Sequence, residues 1–272
     1  MHPLYIVWDV DPRIFPSSEL LRWYGLFWAL GLFVSFQLMF YIYRKEGKPP
    51  QRLDSLALYL VIGAIAGARL GHILFYDPLH YWQHPIEILP IRLEPRLEFT
   101  GLAGLASHGG VIGVLLALFL YCRKYSENYL WLLDRLVIAA TLLGSFIRLG
   151  NLMNSEIVGT PTEVPWAFIF TRLDGAPRHP AQLYEAVFYM LLFVLLFILW
   201  KRRQTAQQGL LVGTGMITVF SQRFIVEFLK VDQMPFESDL LFNMGQILSI
   251  PFILTGLFLV LRSLGQNKQL SS

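Results

Sequence analysis

The feature that most constrains this chain is a set of apolar stretches, each about as long as a bilayer is thick. Runs such as "WLLDRLVIAATLLGSF", residues 131–146, are mostly apolar. A helix needs roughly 20 such residues to cross the hydrocarbon core. Seven stretches of this kind are read, at about 20–43, 55–76, 104–122, 131–150, 181–200, 209–229 and 244–262. The alternating segments of about ten residues that mark a transmembrane barrel are absent. A hydrophobic fraction of 55% against 15% charged residues fits that reading. The expected fold is an all-α integral membrane protein, a bundle of about seven transmembrane helices forming one polytopic domain over residues 1–272.

The basic residues report orientation. The links "YRKEGKPPQR", "CRKYSENY" and "KRRQTAQQG", with the C-terminal tail, hold eleven of the 22 Lys and Arg. The opposite side holds seven, from Arg13 to Lys230. The positive-inside rule then puts the N-terminus outside and the C-terminus in the cytoplasm. Segments 77–103 and 151–180, rich in Pro, Gly and charge, are expected as extracytoplasmic loop elements. No cleavable signal peptide is evident before the first span, which is expected to serve as the membrane signal. A single cysteine, Cys122, excludes an internal disulfide. A net charge of +3 gives no indication of nucleic acid.

Four basic residues remain, all arginines within spans. Arg135, beside Asp134, opens the fourth span and is expected to snorkel to the interface. Arg69, Arg148 and Arg223 lie in the outer halves of their spans. An arginine deep in a membrane costs about 2.5–3.5 kcal/mol on insertion scales. It cannot escape by deprotonation, so it needs an anion or water. Other polar groups fall at the same depth: Tyr24, His72, Tyr76, His108, Asn151, Asn154, Glu156, Gln182, Glu185 and Gln246. Glu227 follows Arg223 by four residues, a spacing that permits a salt bridge. Taken singly, each has a structural explanation as cap, belt residue or internal pair. Their joint placement in one leaflet argues for a shared, electropositive, partly wet site.

The glycines carry a packing signal. "GAIAGARLG" spaces Gly63, Gly67 and Gly71 by four, and "HGGVIG" does the same for Gly109 and Gly113. Such spacing lets membrane helices approach closely. Motifs for a P-loop, a nucleophile elbow, a zincin or a paired-cysteine centre are missing. A site rich in arginine and poor in carboxylates suits an anionic substrate, with no metal and no cofactor.

The stretch "IRLGNLMNSEIVG", residues 147–159, resembles the signature of the bacterial prolipoprotein diacylglyceryl transferases, close to G-R-x-G-N-x-x-N-x-E-x-x-G. "LRWYGL", "GARLGHILFY", "SHGGVIGV", "RHPAQLYE", "RFIVEF" and "NMGQILSIP" are similar to other family blocks, in family order. Two positions depart from the pattern: Ile147, where glycine is usual, and Val219, where tyrosine is common. The resemblance implies transfer of the sn-1,2-diacylglyceryl group of phosphatidylglycerol to the lipobox cysteine thiol of a preprolipoprotein signal peptide. A thioether forms and glycerol phosphate leaves, at the outer leaflet of the cytoplasmic membrane. It implies catalytic roles for His108, Arg148 and Arg223. Contacts to phosphatidylglycerol are implied for Arg148, Asn151, Asn154, Glu156, Tyr24, Arg69, Tyr76 and Glu227. Glu156 and Glu227 are expected to orient arginines. A transporter or channel for an anion or lipid stays open as the alternative, since intramembrane arginines also line such paths.

Overall fold

The computed structural model of the protein describes residues 5–17, 21–89, 91–92, 98–99, 104–202, 208–229 and 242–270. Within them the order is β1 (Ile6–Trp8), α1 (Trp23–Lys45), α2 (Arg52–Phe75), α3 (Pro78–Gln83), a 3₁₀ turn (Pro85–Ile88), β2 (Ile91–Arg92) and β3 (Glu98–Phe99). There follow α4 (Ser107–Tyr125), α5 (Tyr129–Met153), β4 (Phe168–Phe170), β5 (Pro177–Arg178), α6 (Ala181–Arg202), α7 (Leu210–Val226), a 3₁₀ turn (Glu227–Leu229) and α8 (Met244–Leu270). Of the expected outer segment 77–103, residues 90, 93–97 and 100–103 lie outside the described residues, as do Arg203 and Lys230 from the charge comparison.

Six helices among the described residues are long and apolar enough to cross a membrane: Trp23–Lys45, Arg52–Phe75, Tyr129–Met153, Ala181–Arg202, Leu210–Leu229 and Met244–Gln266. Backbone groups cannot meet water in the hydrocarbon core, so these apolar segments fold as helices, which satisfy them internally. The remaining expected span, 104–122, corresponds to α4, which is helical but not among the six. Ser107, His108 and three glycines at one end, with Arg123 and Lys124 at the other, dilute its apolar run. The α5 helix continues to Met153, past the expected end at 150, and that extension keeps Asn151 helical.

The chain divides into two compact units, Met1–Glu46 with Leu130–Ser272, and Gly47–Tyr129. In the first, α5 is the central helix. Gly31 of α1 is packed so closely on α5 that an added Cβ would lie 2.8 Å from Phe146 Cβ. Ser35 Oγ donates to the Ala139 carbonyl, and Ser145 Oγ to that of Ala186 on α6. A Cβ on Gly215 of α7 would come 2.5 Å from Val137. The α7 and α8 helices run antiparallel, with Gly213 against Gly256 and Phe220 stacked on Phe252 at 4.3 Å.

At the end of this unit formed by the start of α5, Arg135 does not snorkel. It is 5% exposed and grips the Glu46 carboxylate through Nε at 3.0 Å and Nη2 at 2.9 Å. The indoles of Trp131 and Trp200 donate to the same carboxylate. A partner sequence-distant from Arg135 thus makes burial tolerable where exposure was expected. Asp134 accepts the backbone N–H groups of Gly209 and Val212, so it satisfies orphan donors at the start of α7.

The unit also carries a small sheet that the expectation of an all-α fold did not include. Its order is β1-β4-β5, with β1 parallel to β4 and β4 antiparallel to β5. Leu152, Phe168 and Phe170 form its buried centre, with Trp8 packed against them. Arg13 holds the Asp11 carboxyl down at about 2 by hydrogen bonding. Arg178 likewise lowers Asp174, and Asp174 raises Arg178 in return.

In the second unit, α2 and α4 pack antiparallel through the two glycine series. A Cβ on Gly63 would sit 2.7 Å from the Gly113 carbonyl oxygen, and one on Gly71 would sit 2.7 Å from Gly109 Cα. The helices touch backbone to backbone, as the spacing predicts.

Candidate active site

The motif at 147–159 folds as a helix end whose geometry explains its spacing. Asn154 is the last residue in register, donating N–H to the Gly150 carbonyl at 3.1 Å. Ser155 then turns left-handed, at φ 55°. Its N–H reaches the Leu152 carbonyl at 3.0 Å, and the Glu156 N–H reaches that of Asn151 at 3.0 Å. This pair of bonds is a Schellman motif, which folds the chain back over the last turn. Glu156 is thereby brought against residues two and five positions earlier. Its carboxylate accepts Asn151 Nδ2 at 3.3 Å and Asn154 Nδ2 at 3.1 Å.

The glycines of the motif are set by close approach. A Cβ at Gly150 would lie 2.9 Å from the Tyr24 ring. At Gly159 it would lie 2.6 Å from His179 Cβ and 3.0 Å from the Leu229 carbonyl. Only residues without side chains let Tyr24 and His179 come so near.

Arg148 sits two turns before the helix end. Its Nε pairs with Glu185 Oε2 of α6 at 2.9 Å, and its Nη1 donates to Asn151 Oδ1 at 3.4 Å. Tyr189 lines the same cavity as Arg148. The carboxylate paired with Arg148 is Glu185, 2% exposed at its side chain, while Glu156, expected to orient an arginine, accepts two asparagine amides. The reason is directional: the Schellman turn points Glu156 at asparagine amides, while α6 presents Glu185 to the guanidinium. Glu185 was visible in the sequence as a polar residue opening a span, but nothing local assigned its partner.

Arg223 and Glu227 form the expected pair at 3.5 Å. The arginine side chain is 45% exposed while that of Glu227 is buried. Gly245 makes room for Glu227, since a Cβ there would meet its carboxylate at 2.5 Å. Asn243 and Gln246 cap the start of α8 reciprocally, each side-chain oxygen accepting the other's backbone N–H at 2.9 and 3.1 Å. Gln246 spends its amide on the Phe224 carbonyl, so its placement near the site is structural.

A cavity of about 490 Å³ lies beside Arg148 and Asn151. Arg148, Asn151, Tyr24 and Tyr189 line one end, with Ile157 beside them. The remainder, from Val137 and Gly144 to Met216 and Phe220, is apolar except for Thr141. Both departures from the family pattern, Ile147 and Val219, also face it. An apolar channel ending in a guanidinium and an amide suits an amphiphile with an anionic head.

The remaining candidates lie in the second unit. Arg69 donates to the carbonyls of Glu87, Ile88 and Gly104 and lies over the Tyr81 ring at 5.0 Å. Its guanidinium anchors the turn after α3. His108, in the first turn of α4, is exposed. Its ring lies 5.3 Å from Phe75 and 5.9 Å from Tyr76. Tyr24, Arg148, Asn151, Asn154, Glu156, Arg223 and Glu227 thus belong to one unit, and Arg69, Tyr76 and His108 to the other. No cluster of three or more metal-ligating side chains occurs among the described residues.

Fold and site together define a polytopic helical membrane protein with an arginine-headed apolar cavity. The profile described as prolipoprotein diacylglyceryl transferase matches residues 13–262. A phosphatidylglycerol–prolipoprotein diacylglyceryl transferase of Tolumonas auensis is 47% identical over 260 residues, covering 95% of this chain and 97% of its own. Proteins of the same name from Bacteroides fragilis and Chloroherpeton thalassium are each 45% identical, covering 94% and 96% of this chain and the same shares of their own. The chain belongs to the prolipoprotein diacylglyceryl transferase family.

Proposed function

We propose that the chain transfers the sn-1,2-diacylglyceryl group of phosphatidylglycerol to the lipobox cysteine thiol of a preprolipoprotein, the first step of lipoprotein maturation. The observation that carries this reading is the cavity: apolar along its length, with Arg148 and Asn151 at one end. Acyl chains suit the former and a phosphodiester the latter. Guanidinium groups bind phosphate through paired, charge-assisted hydrogen bonds.

In the reaction a sulfur–carbon bond forms and the glycerol carbon–oxygen bond to phosphate breaks. Arg148 and Arg223 offset the charge that gathers on the departing glycerol phosphate. Asn151 and Asn154 donate to phosphate or glycerol oxygens, held in place by Glu156. Glu185 orients Arg148, and Glu227 orients Arg223. Tyr24 walls the head end, and Tyr76 flanks His108. Arg69 supports its own unit. His108, exposed in the first turn of α4, accepts the thiol proton as general base. The acceptor thiol comes from the other protein, because Cys122 is buried near the basic end of α4.

The same reading has seven spans, with α4 as the third, the N-terminus outside and the C-terminus in the cytoplasm. Basic last turns on α1, α4 and α6 support it, since all three would end on the cytoplasmic side. The site then opens to the outer leaflet of the cytoplasmic membrane. Neither the family nor the cavity favours the transporter alternative.

Incubating the purified protein with labelled phosphatidylglycerol and a lipobox peptide tests the reading. Label should appear on the peptide as a thioether. His108→Gln should retain lipid binding and lose about 10²–10⁴-fold in transfer, the usual contribution of a general base. Label moving across vesicles without reaching peptide would support transport instead.

A further inference from the structure

Ile157 has a left-handed backbone, φ 56°, where a β-branched side chain is strained. Such conformations persist only where their surroundings hold them, and they collect at functional sites. Here the holders are visible. The peptide linking Glu156 to Ile157 is fixed by Gln182, fully buried, whose Nε2 donates to the Glu156 carbonyl. Two residues on, the Gly159 N–H donates to the His179 carbonyl at 2.9 Å. The start of α6 therefore clamps the turn on both sides of Ile157. The side chain gains little burial in return, being 40% exposed. It lines the polar end of the cavity, beside Arg148, Asn151 and Tyr24. An apolar, branched group is thus held in a strained backbone beside polar lining residues.

We propose that Ile157 determines headgroup specificity, with Gln182 as its positioning residue. The inference rests on reading the cavity as the donor-lipid site. Arg148 offers the same charge to the phosphate of any anionic phospholipid, so it cannot separate one headgroup from another. Ile157 supplies the missing discrimination. Its methyl groups occupy space beside the phosphate position and offer no hydrogen bond. A small polyol can turn its hydroxyls toward Asn151 and solvent. A bulkier polyol must press hydroxyls against Ile157 and lose their water without replacement.

The test uses the full-length protein with phosphatidylglycerol and phosphatidylinositol of matched acyl chains, presented in the same detergent with a lipobox peptide. The readout is the ratio of kcat/KM for the two lipids. Ile157→Gly fits the left-handed backbone and removes the side chain, so folding is safeguarded. Its ratio should fall by on the order of tenfold or more relative to the parent, the scale of discrimination by pocket shape. Ile157→Asn also tolerates this backbone and restores bulk with hydrogen-bonding capacity, and should lower the ratio too. Gln182→Leu should lower it through loss of the clamp, with Ile157→Gly/Gln182→Leu no lower than Ile157→Gly alone. An unchanged ratio in Ile157→Gly overturns the inference, as does a folded variant inactive on both lipids, which would make Ile157 a scaffold residue. A parent protein that moves no diacylglyceryl from phosphatidylglycerol would instead refute the underlying reading.

Discussion

Arg148 illustrates how a permanent charge is kept at the end of a membrane helix. Guanidinium cannot neutralise itself, so its burial demands a fixed anion. Glu185 supplies one at 2.9 Å, and Asn151 takes a further donor. Breaking such a pair from one side strands the other charge. Glu185→Ala should therefore lower stability by about 3 kcal/mol, the low end for broken buried pairs because Arg148 keeps some exposure. Denaturant unfolding of the purified protein would measure it, and a cost below that of an ordinary surface substitution would remove Glu185 from its orienting role. Arg148→Lys keeps the charge and loses the planar fork, so transfer should stay strongly impaired. Arg148→Ala should be worse and should weaken phosphatidylglycerol binding. Full activity with lysine would mean that a point charge suffices.

At the scale of elements, two helix contacts make sharp comparisons. On α4, a Cβ at Gly113 would overlap the α2 backbone, while one at Gly110 meets nothing nearer than 3.5 Å. Gly113→Ala should thus cost about 1–3 kcal/mol or more through overpacking, and Gly110→Ala little. Thermal unfolding of the two variants side by side decides it, and equal melting temperatures would contradict the backbone-to-backbone contact. The end of α5 gives the opposite sign. Ser155 occupies the left-handed position of the Schellman turn, and its hydroxyl is buried without a partner among the described residues. Ser155→Gly should stabilise by up to about 1 kcal/mol, since it relieves the backbone and deletes an unpaired polar atom. A loss of stability would show that the hydroxyl contributes more than the strain costs.

For the whole molecule, the proposed orientation rests on charge asymmetry. Cysteine accessibility in spheroplasts should label 77–103 and 151–180 from outside. Segments 44–53, 123–130 and 201–208 should label only after permeabilisation. Labelling of 201–208 in intact spheroplasts would reverse the topology and put the proposed site on the wrong leaflet.

The sequence by itself determined the membrane class, the six long apolar helices and the set of polar residues. Apolar run length and residue chemistry are local properties, readable without knowing neighbours. The glycine spacing on α2 and α4 was equally legible, because a helix displays every fourth residue on one face. Only the tertiary structure decided which groups meet. Glu46 finds Arg135 from a distant helix end, and Glu185 pairs with Arg148. The strands β1, β4 and β5 are two or three residues long, too short to leave a period, and form because the chain brings Trp8, Phe168 and Phe170 together. Ile157 reads as an ordinary apolar residue; its strain comes from Gln182 and His179, some 25 residues on. Pairing across such distances is a property of packed faces, and no local pattern encodes it.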